Sequence, residues 1–326
     1  MPNAETLLSV VVPVYNEAAV LPEFHRRLAT VLDELDLRGE VVYVNDGSSD
    51  DTLAVLHALR RGDPRVALIN LSRNFGKEIA MTAGLDHARG DAVVVIDADL
   101  QDPPELIPEL LRVWREGYDV AYAKRTARGG ESWLKRATAR AFYYMIQRVG
   151  RVRIPENTGD FRLLSRRAVD ALGQLREQHR FMKGLFAWIG FPQKAVPYVR
   201  QPRHAGHTKW NYWRLWNFAL DGITSFSVAP LKIASYLGFV LALAAFIYGS
   251  WIIVKTLIFG DPVPGYPSMM TMILFLGGVQ LLFIGVLGEY LGRMFDESKR
   301  RPLYLVNGHE PAASDARSNA VPPTSD

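Results

Sequence analysis

The chain has 326 residues, 48% of them apolar and none cysteine, with a formal net charge of +4. Disulfides and cysteine-based zinc sites are excluded, and the lack of a long Lys/Arg block argues against nucleic acid as a partner. The basic balance suits phosphates or lipid headgroups, and a mean hydropathy near zero points to a membrane part.

Near the N-terminus the chain enters a strand-like run at Leu7, with no basic segment, apolar stretch and cleavage site before it. No cleaved signal peptide is expected. Apolar runs follow at Leu8–Val14, Val41–Val44, Val66–Ile69, Ala92–Ile96 and Val120–Ala123. Amphipathic stretches such as Val20–Leu35 and Thr52–Arg60 lie between them. This alternation predicts an α/β domain around a mostly parallel central sheet. Ligands on such sheets bind beyond the carboxyl ends of the strands. Here those ends are polar: Tyr15-Asn16-Glu17, Asn45-Asp46-Gly47, Ser72-Arg73-Asn74 and Asp97-Ala98-Asp99. Turn chemistry alone could supply one such cluster; four in succession favour a site.

The first strand end lacks Gly-x-Gly-x-x-Gly, which argues against a dehydrogenase. Asp46 could accept hydrogen bonds from a base or ribose, whereas Ser49 or Asp50 reads as a cap for the next helix. Asp97 and Asp99 follow a buried strand and precede Gln101-Asp102-Pro103-Pro104-Glu105, a helix start with prolines in its first turn. Paired carboxylates there suit a divalent cation, Mg²⁺ or Mn²⁺, that offsets the charge of a departing diphosphate.

Beyond Gln201 the character changes. Two uncharged stretches, 233–254 and 262–288, are each long enough to span a bilayer. Lys209, Arg214 and Lys232 precede the first, and Arg293, Lys299, Arg300 and Arg301 follow the second. The positive-inside rule places both termini in the cytoplasm. Trp210, Trp213 and Trp216 suggest an amphipathic helix at headgroup level, over 210–228. His204 and His207 sit in a Pro/Gly-containing loop without a nearby carboxylate and make a poor metal site. Gly285, Gly288 and Gly292 form a small-residue stripe that suits packing against the first span or between subunits. The tail from about Asn307 is expected to be disordered.

These motifs together carry a resemblance. Val12-Pro13-Val14-Tyr15-Asn16-Glu17, Asn45-Asp46-Gly47-Ser48-Ser49-Asp50, Arg73-Asn74-Phe75-Gly76-Lys77 and Asp97-Ala98-Asp99-Leu100-Gln101-Asp102-Pro103-Pro104 resemble family 2 glycosyltransferases of GT-A fold. Glu156-Asn157-Thr158-Gly159-Asp160-Phe161-Arg162-Leu163, Gly206-His207-Thr208-Lys209-Trp210 and Gly288-Glu289-Tyr290-Leu291-Gly292-Arg293 narrow it to the polyprenyl-phosphate branch, which includes bactoprenol glucosyltransferases and dolichyl-phosphate mannose synthases. The similarity spans residues 7 to about 306. It departs at His207-Thr208, where relatives often carry Gly-Ser or Glu-Ser.

The resemblance implies a GT-A catalytic domain over 1–209, the juxtamembrane helix, a two-helix transmembrane region over 229–295 and a cytoplasmic segment over 296–326. It implies that Pro13, Tyr15, Glu17, Asp46 and Asp97 contact a UDP-sugar, and that Asp97 and Asp99 hold the metal. Asp99, Gln101 and Asp160 would serve catalysis, with Asp160 near the reacting centre. Arg125, Arg128, Arg203 and Lys209 would bind the phosphate of a polyprenyl (undecaprenyl) phosphate acceptor. Glucose is the first choice of sugar; mannose, an aminopentose or an amino sugar stay open. So do a non-catalytic nucleotide-binding scaffold, a homo-oligomer such as a tetramer, and a flippase in the same pathway. The implied location is the bacterial inner membrane, multi-pass. A processive polysaccharide synthase is disfavoured by the lack of Gln-x-x-Arg-Trp.

Overall fold

A computed structural model describes residues 6–126, 155, 158–199, 229–259 and 265–313. Its centre is an eight-stranded sheet of order β7-β5-β6-β4-β1-β2-β3-β8. The strands are β1 (Leu7–Val14), β2 (Arg38–Asn45), β3 (Val66–Leu71), β4 (Ala92–Val95), β5 (Val120–Arg125), β6 (Thr158–Ser165), β7 (Gln193–Tyr198) and β8 (Val306–Glu310). The helices are α1 (Leu21–Glu34), α2 (Thr52–Gly62), α3 (Lys77–His87), α4 (Ile107–Arg115), α5 (Arg166–Gly173), α6 (Met182–Trp188), α7 (Ala229–Phe259) and α8 (Tyr266–Ser298).

The parallel block β3-β2-β1-β4 carries the nucleus. From Leu8 onward every residue of β1 is buried, because helices cover both faces of such a sheet. The two faces build separate apolar layers. Leu8, Val10 and Val12 join Phe24 and Leu28 on one side, while Val11, Val42 and Val44 join Met81 and Ala83 on the other. Gly84 lets α3 press close: a Cβ there would lie 2.3 Å from Val11 Cγ1. The chain runs from β1 outward to β2 and β3, then returns to place β4 on the other side of β1. That reversal opens a crevice at the carboxyl ends of β1 and β4, where open α/β sheets bind ligands.

Beyond β4 the sheet turns mixed. β6 runs antiparallel between β4 and β5, with Val95 opposite Arg162. Continuing that register by two residues brings Asp97 opposite Asp160.

One expectation is corrected. Residues 306–310 are not disordered but form β8, antiparallel on β3, with Leu68 opposite Glu310 and Leu71 opposite Val306. The free edge of β3 supplies backbone partners that a polar sequence does not advertise. Glu310 adds contacts to His57 and Arg60, and Ala312 is buried. Part of the 296–326 segment therefore belongs to the catalytic sheet.

The helices α7 and α8 are both long and apolar enough to cross a membrane. Large apolar side chains such as Phe239, Phe246, Leu257 and Leu281 stand exposed on them, as lipid contact requires. α8 runs ten residues past the uncharged stretch that ends at Gly288. Glu289 and Arg293 pair there at 2.9 Å, one helical turn apart. The 210–228 helix and Trp210, Trp213 and Trp216 lie outside the described residues.

Candidate active site

The first wall of the crevice is made by the loops after β1 and β2, which are stitched together. Asn16 adopts φ +56°, a conformation asparagine tolerates. Its backbone N–H donates to Ser48 Oγ at 3.0 Å, and its side-chain carbonyl accepts from Ser49 N at 2.9 Å. Glu17 N donates to Thr52 Oγ1 at 2.9 Å. Ser49 thus binds the neighbouring loop rather than capping α2; the N-cap is Asp51, whose side chain makes no capping bond, and Asp50 accepts from Thr52 N at 3.0 Å in the turn before it. Pro13 is held inside β1, and Tyr15 projects with 44% of its surface exposed, available to stack on a flat ligand.

Asp46 is engaged by the backbone of a neighbouring loop. Its Oδ1 accepts from Phe75 N at 2.7 Å and its Oδ2 from Gly76 N at 2.9 Å, and it is only 3% exposed. Both oxygens thus clamp the loop that launches α3. Gly47 makes that loop fit: at φ +64°, any Cβ would lie 2.4 Å from the Arg73 carbonyl carbon. Burial raises the Asp46 carboxyl, and the two N–H donors only partly offset this. Arg73 lies with its guanidinium 4.0 Å over the Phe75 ring.

The clamped loop delivers Lys77, the first residue of α3, to the centre. Its Nζ lies 2.7 Å from both oxygens of Asp97 and 2.6 Å from Asp160 Oδ2. Asp160 Oδ1 is buried and, among the described residues, has no hydrogen-bond partner. Burial works to raise the Asp160 carboxyl, but the charges of Lys77, Lys183 and Arg162 prevail and hold it below the usual carboxylate range. Asp97 moves the other way: burial and the charge of Asp160 outweigh Lys77 and raise it.

Asp99 stands two residues from Asp97, and its Oδ1 accepts from Gln101 N at 3.1 Å. Between them Leu100 is held at φ +59°, a costly conformation for leucine that turns the carboxylate loop.

Beneath Asp160, Arg162 donates to the carbonyls of Gly159 at 2.8 Å and Asp160 at 3.3 Å. Its guanidinium packs 3.8 Å over Phe186, and burial lowers it to about 10. Beside it, Glu78 accepts from Met182 N at 2.9 Å. Burial and the charge of Asp160 raise Glu78 to about 7.

On the far side, the Tyr198 hydroxyl donates to Asp102 Oδ1 and accepts from Arg125 Nε at 3.2 Å. A Cβ on Gly159 would lie 3.0 Å from the Arg125 guanidinium, so the bare backbone admits that cation to the rim of the crevice. Arg128, Arg203 and Lys209 lie outside the described residues.

The structure therefore brings Asp97 and Asp160 together on Lys77, joins Arg125 to Asp102 through Tyr198, and leaves Tyr15 and the Asp99–Gln101 turn on the loops that follow β1 and β4. Sequence reasoning missed Lys77, Glu78, Arg162, Asp102 and Tyr198 as parts of the site. Lys77 stood at the end of a quoted motif, but only the register of β4 with β6 reveals what it bridges.

Residues 9–173 match the family model described as glycosyl transferase family 2, which is just over half of the chain. The chain belongs to glycosyl transferase family 2. Residues 229–294 of the transferase match a second model, the GtrB C-terminal hairpin, which covers most of α7 and α8. An uncharacterized glycosyltransferase of Synechocystis sp. is 56% identical over 300 residues, 92% of this chain and 94% of its own length. The bactoprenol glucosyl transferase of Shigella phage SfV is 49% identical over 303 residues, 93% of this chain and 99% of its own. A prophage bactoprenol glucosyl transferase homolog of Escherichia coli is 49% identical over 299 residues, covering 92% and 98%. Overlap with solved structures is looser. Glucosyl-3-phosphoglycerate synthase of Mycobacterium tuberculosis gives a TM-score of 0.45 at 21% identity, covering 68% of this chain and 78% of that one.

Proposed function

We propose that the transferase moves glucose from UDP-glucose to polyprenyl phosphate at the cytoplasmic face of the membrane, with inversion at the anomeric carbon. The observation that carries this reading is the joining of an acidic crevice at the β1/β4 switch to an exposed apolar helix hairpin in one chain. Relatives at 49% identity named bactoprenol glucosyl transferase support the acceptor and the sugar.

The chemistry requires little of the protein beyond placement. The acceptor is a phosphate monoester with a second pKa of about 6, so near neutral pH it is already an anionic nucleophile. Its oxygen forms a bond to the anomeric carbon while the bond to the β-phosphate oxygen breaks and the electron pair leaves on UDP. No proton need move for that exchange to balance. Tyr15 would stack on the uracil, and Asp46 would support it indirectly through the 75–76 loop. Arg125 would meet the acceptor phosphate, with Arg128, Arg203 and Lys209 as the further cations we assign to it.

The fit to a divalent cation can be judged from the crevice itself. Lys77 already sits as a positive charge between Asp97 and Asp160, and the other Asp160 oxygen is buried with no hydrogen-bond partner among the described residues. Among the described residues no three acidic or histidine side chains converge as a closed metal cage. An open pair, Asp97 and Asp99, suits Mg²⁺ or Mn²⁺, which keep positions for phosphate and water. Bound there, the cation would offset charge growing on the leaving diphosphate.

The test uses purified protein in lipid with undecaprenyl phosphate and a panel of labelled nucleotide-sugars. Label should pass into the organic phase from UDP-glucose, in a manner abolished by excess chelator and reduced at least about a hundredfold by Asp99→Asn. Transfer from GDP-mannose alone would replace glucose in this reading. Full turnover in chelator would remove the metal from it.

A further inference from the structure

Lys77 is placed by the scaffold rather than by chance. Asp46 holds the two residues before it through both carboxylate oxygens, and Gly76 turns the chain into α3 at φ +96°. The ammonium then meets Asp97, in the loop after β4, at 2.7 Å and Asp160, on β6, at 2.6 Å. Asp97 and Asp160 converge on one ammonium and would repel one another without a cation between them. Lys77 supplies that cation. Its side chain is 43% exposed, whereas that of Asp160 is only 10%, so the ammonium is the solvent-facing and replaceable member of the trio.

Asp97 is also one of the two carboxylates proposed to receive the divalent ion. Both of its oxygens lie 2.7 Å from Lys77 Nζ, so a divalent ion arriving there meets the repulsion of an ammonium already in contact. We propose that Lys77 is a built-in counter-ion: it occupies Asp97 in the donor-free protein, yields it when nucleotide and divalent cation enter, and then remains on Asp160. The inference rests on the metal-dependent reading of the site. It makes Lys77 a positioning residue that keeps the acidic pair together in the resting state and ties cation binding to the donor. The diphosphate supplies the negative charge that offsets the ammonium once Asp97 is given up. Cation binding without nucleotide is therefore weak, because it must displace an existing charge-assisted contact.

The test is an Mn²⁺ titration of purified full-length protein. Free Mn²⁺ is followed by electron paramagnetic resonance, with and without UDP and against a blank of UDP alone. Without UDP, Lys77→Gln should bind Mn²⁺ about tenfold more tightly than wild type, the worth of one charge-assisted contact. Lys77→Arg should keep the weak wild-type binding, because it keeps the charge. Lys77→Met replaces the Gln variant if the latter does not fold, and it should behave in the same way. Equal or weaker nucleotide-free binding in the neutral variants overturns the role of Lys77 alone. No Mn²⁺ uptake in any arm, UDP included, overturns both the metal reading and this proposal.

Discussion

At the scale of single residues, Glu78 has a titration that can be measured apart from catalysis. Burial and the charge of Asp160 raise its carboxyl from 4.5 to about 7. A carboxyl raised on folding favours the folded state fully below its unfolded value, and that contribution is lost as pH climbs through the folded value. Wild type should therefore lose stability against Glu78→Gln between about pH 4.5 and pH 7. The amide still accepts from Met182 N but never ionises. Thermal unfolding should show the two nearly equal at pH 5 and the variant ahead at pH 8, by roughly 1–3 kcal/mol. Parallel profiles would contradict the assignment. Residue roles were legible where the role is local. Asp97 and Asp99 announce themselves by spacing after an apolar strand. Asp46 did not: its partners are the amides of Phe75 and Gly76, which nothing in its own motif reveals.

At the scale of elements, the strands legible in the sequence were the four of the parallel block and β5, because burial writes an apolar run. β6 hides behind Asp160 and Arg162, two buried charges that break such a pattern. β8 reads Val-Asn-Gly-His-Glu and becomes a strand only because β3 offers an edge. α3 shows no apolar stripe, since Ala80 through Leu85 are all buried and no face is left to be polar. The joint between the catalytic domain and α8 was equally invisible. Glu297 accepts from Gln178 N at 2.7 Å, Asp296 meets His179 Nε2 at 3.2 Å, and the Gln178 amide reaches the Arg301 carbonyl at 2.5 Å. The same segment continues to Met182, whose N–H binds Glu78 beside Lys77. Such exposed contacts add little stability, but they tie the 178–179 segment to the end of α8. Asp296→Ala with Glu297→Ala should leave thermal stability within about 1 kcal/mol. It should lower kcat/KM for membrane-held acceptor about tenfold, because small misplacements of reactants are costly. Unchanged acceptor kinetics would show that the joint does not align the site.

At the scale of the whole molecule, the tail after α8 returns to the catalytic domain. Ser72 N donates to Leu305 O at 2.9 Å, Tyr304 OH donates to Asp86 at 2.9 Å, and β8 closes the sheet. The C-terminal end of α8 and the crevice are therefore on one side of any membrane that the hairpin enters. A polyprenyl chain buries many methylene groups at roughly 0.8 kcal/mol each and stays in the bilayer. An enzyme acting on it must bring its acidic crevice to the surface, and we propose that the joint with α8 serves that end. We propose that the sugar changes hands at the Asp97–Lys77–Asp160 cluster. The most direct measurement is kcat for labelled product in the organic phase, taken beside the UDP affinity of the same preparation, for wild type and Asp160→Asn. Loss of the ionised carboxylate that holds Lys77 should lower kcat about a hundredfold or more, through lost electrostatic preorganisation, with UDP affinity nearly unchanged. Turnover near the wild-type rate in Asp160→Asn would contradict the account.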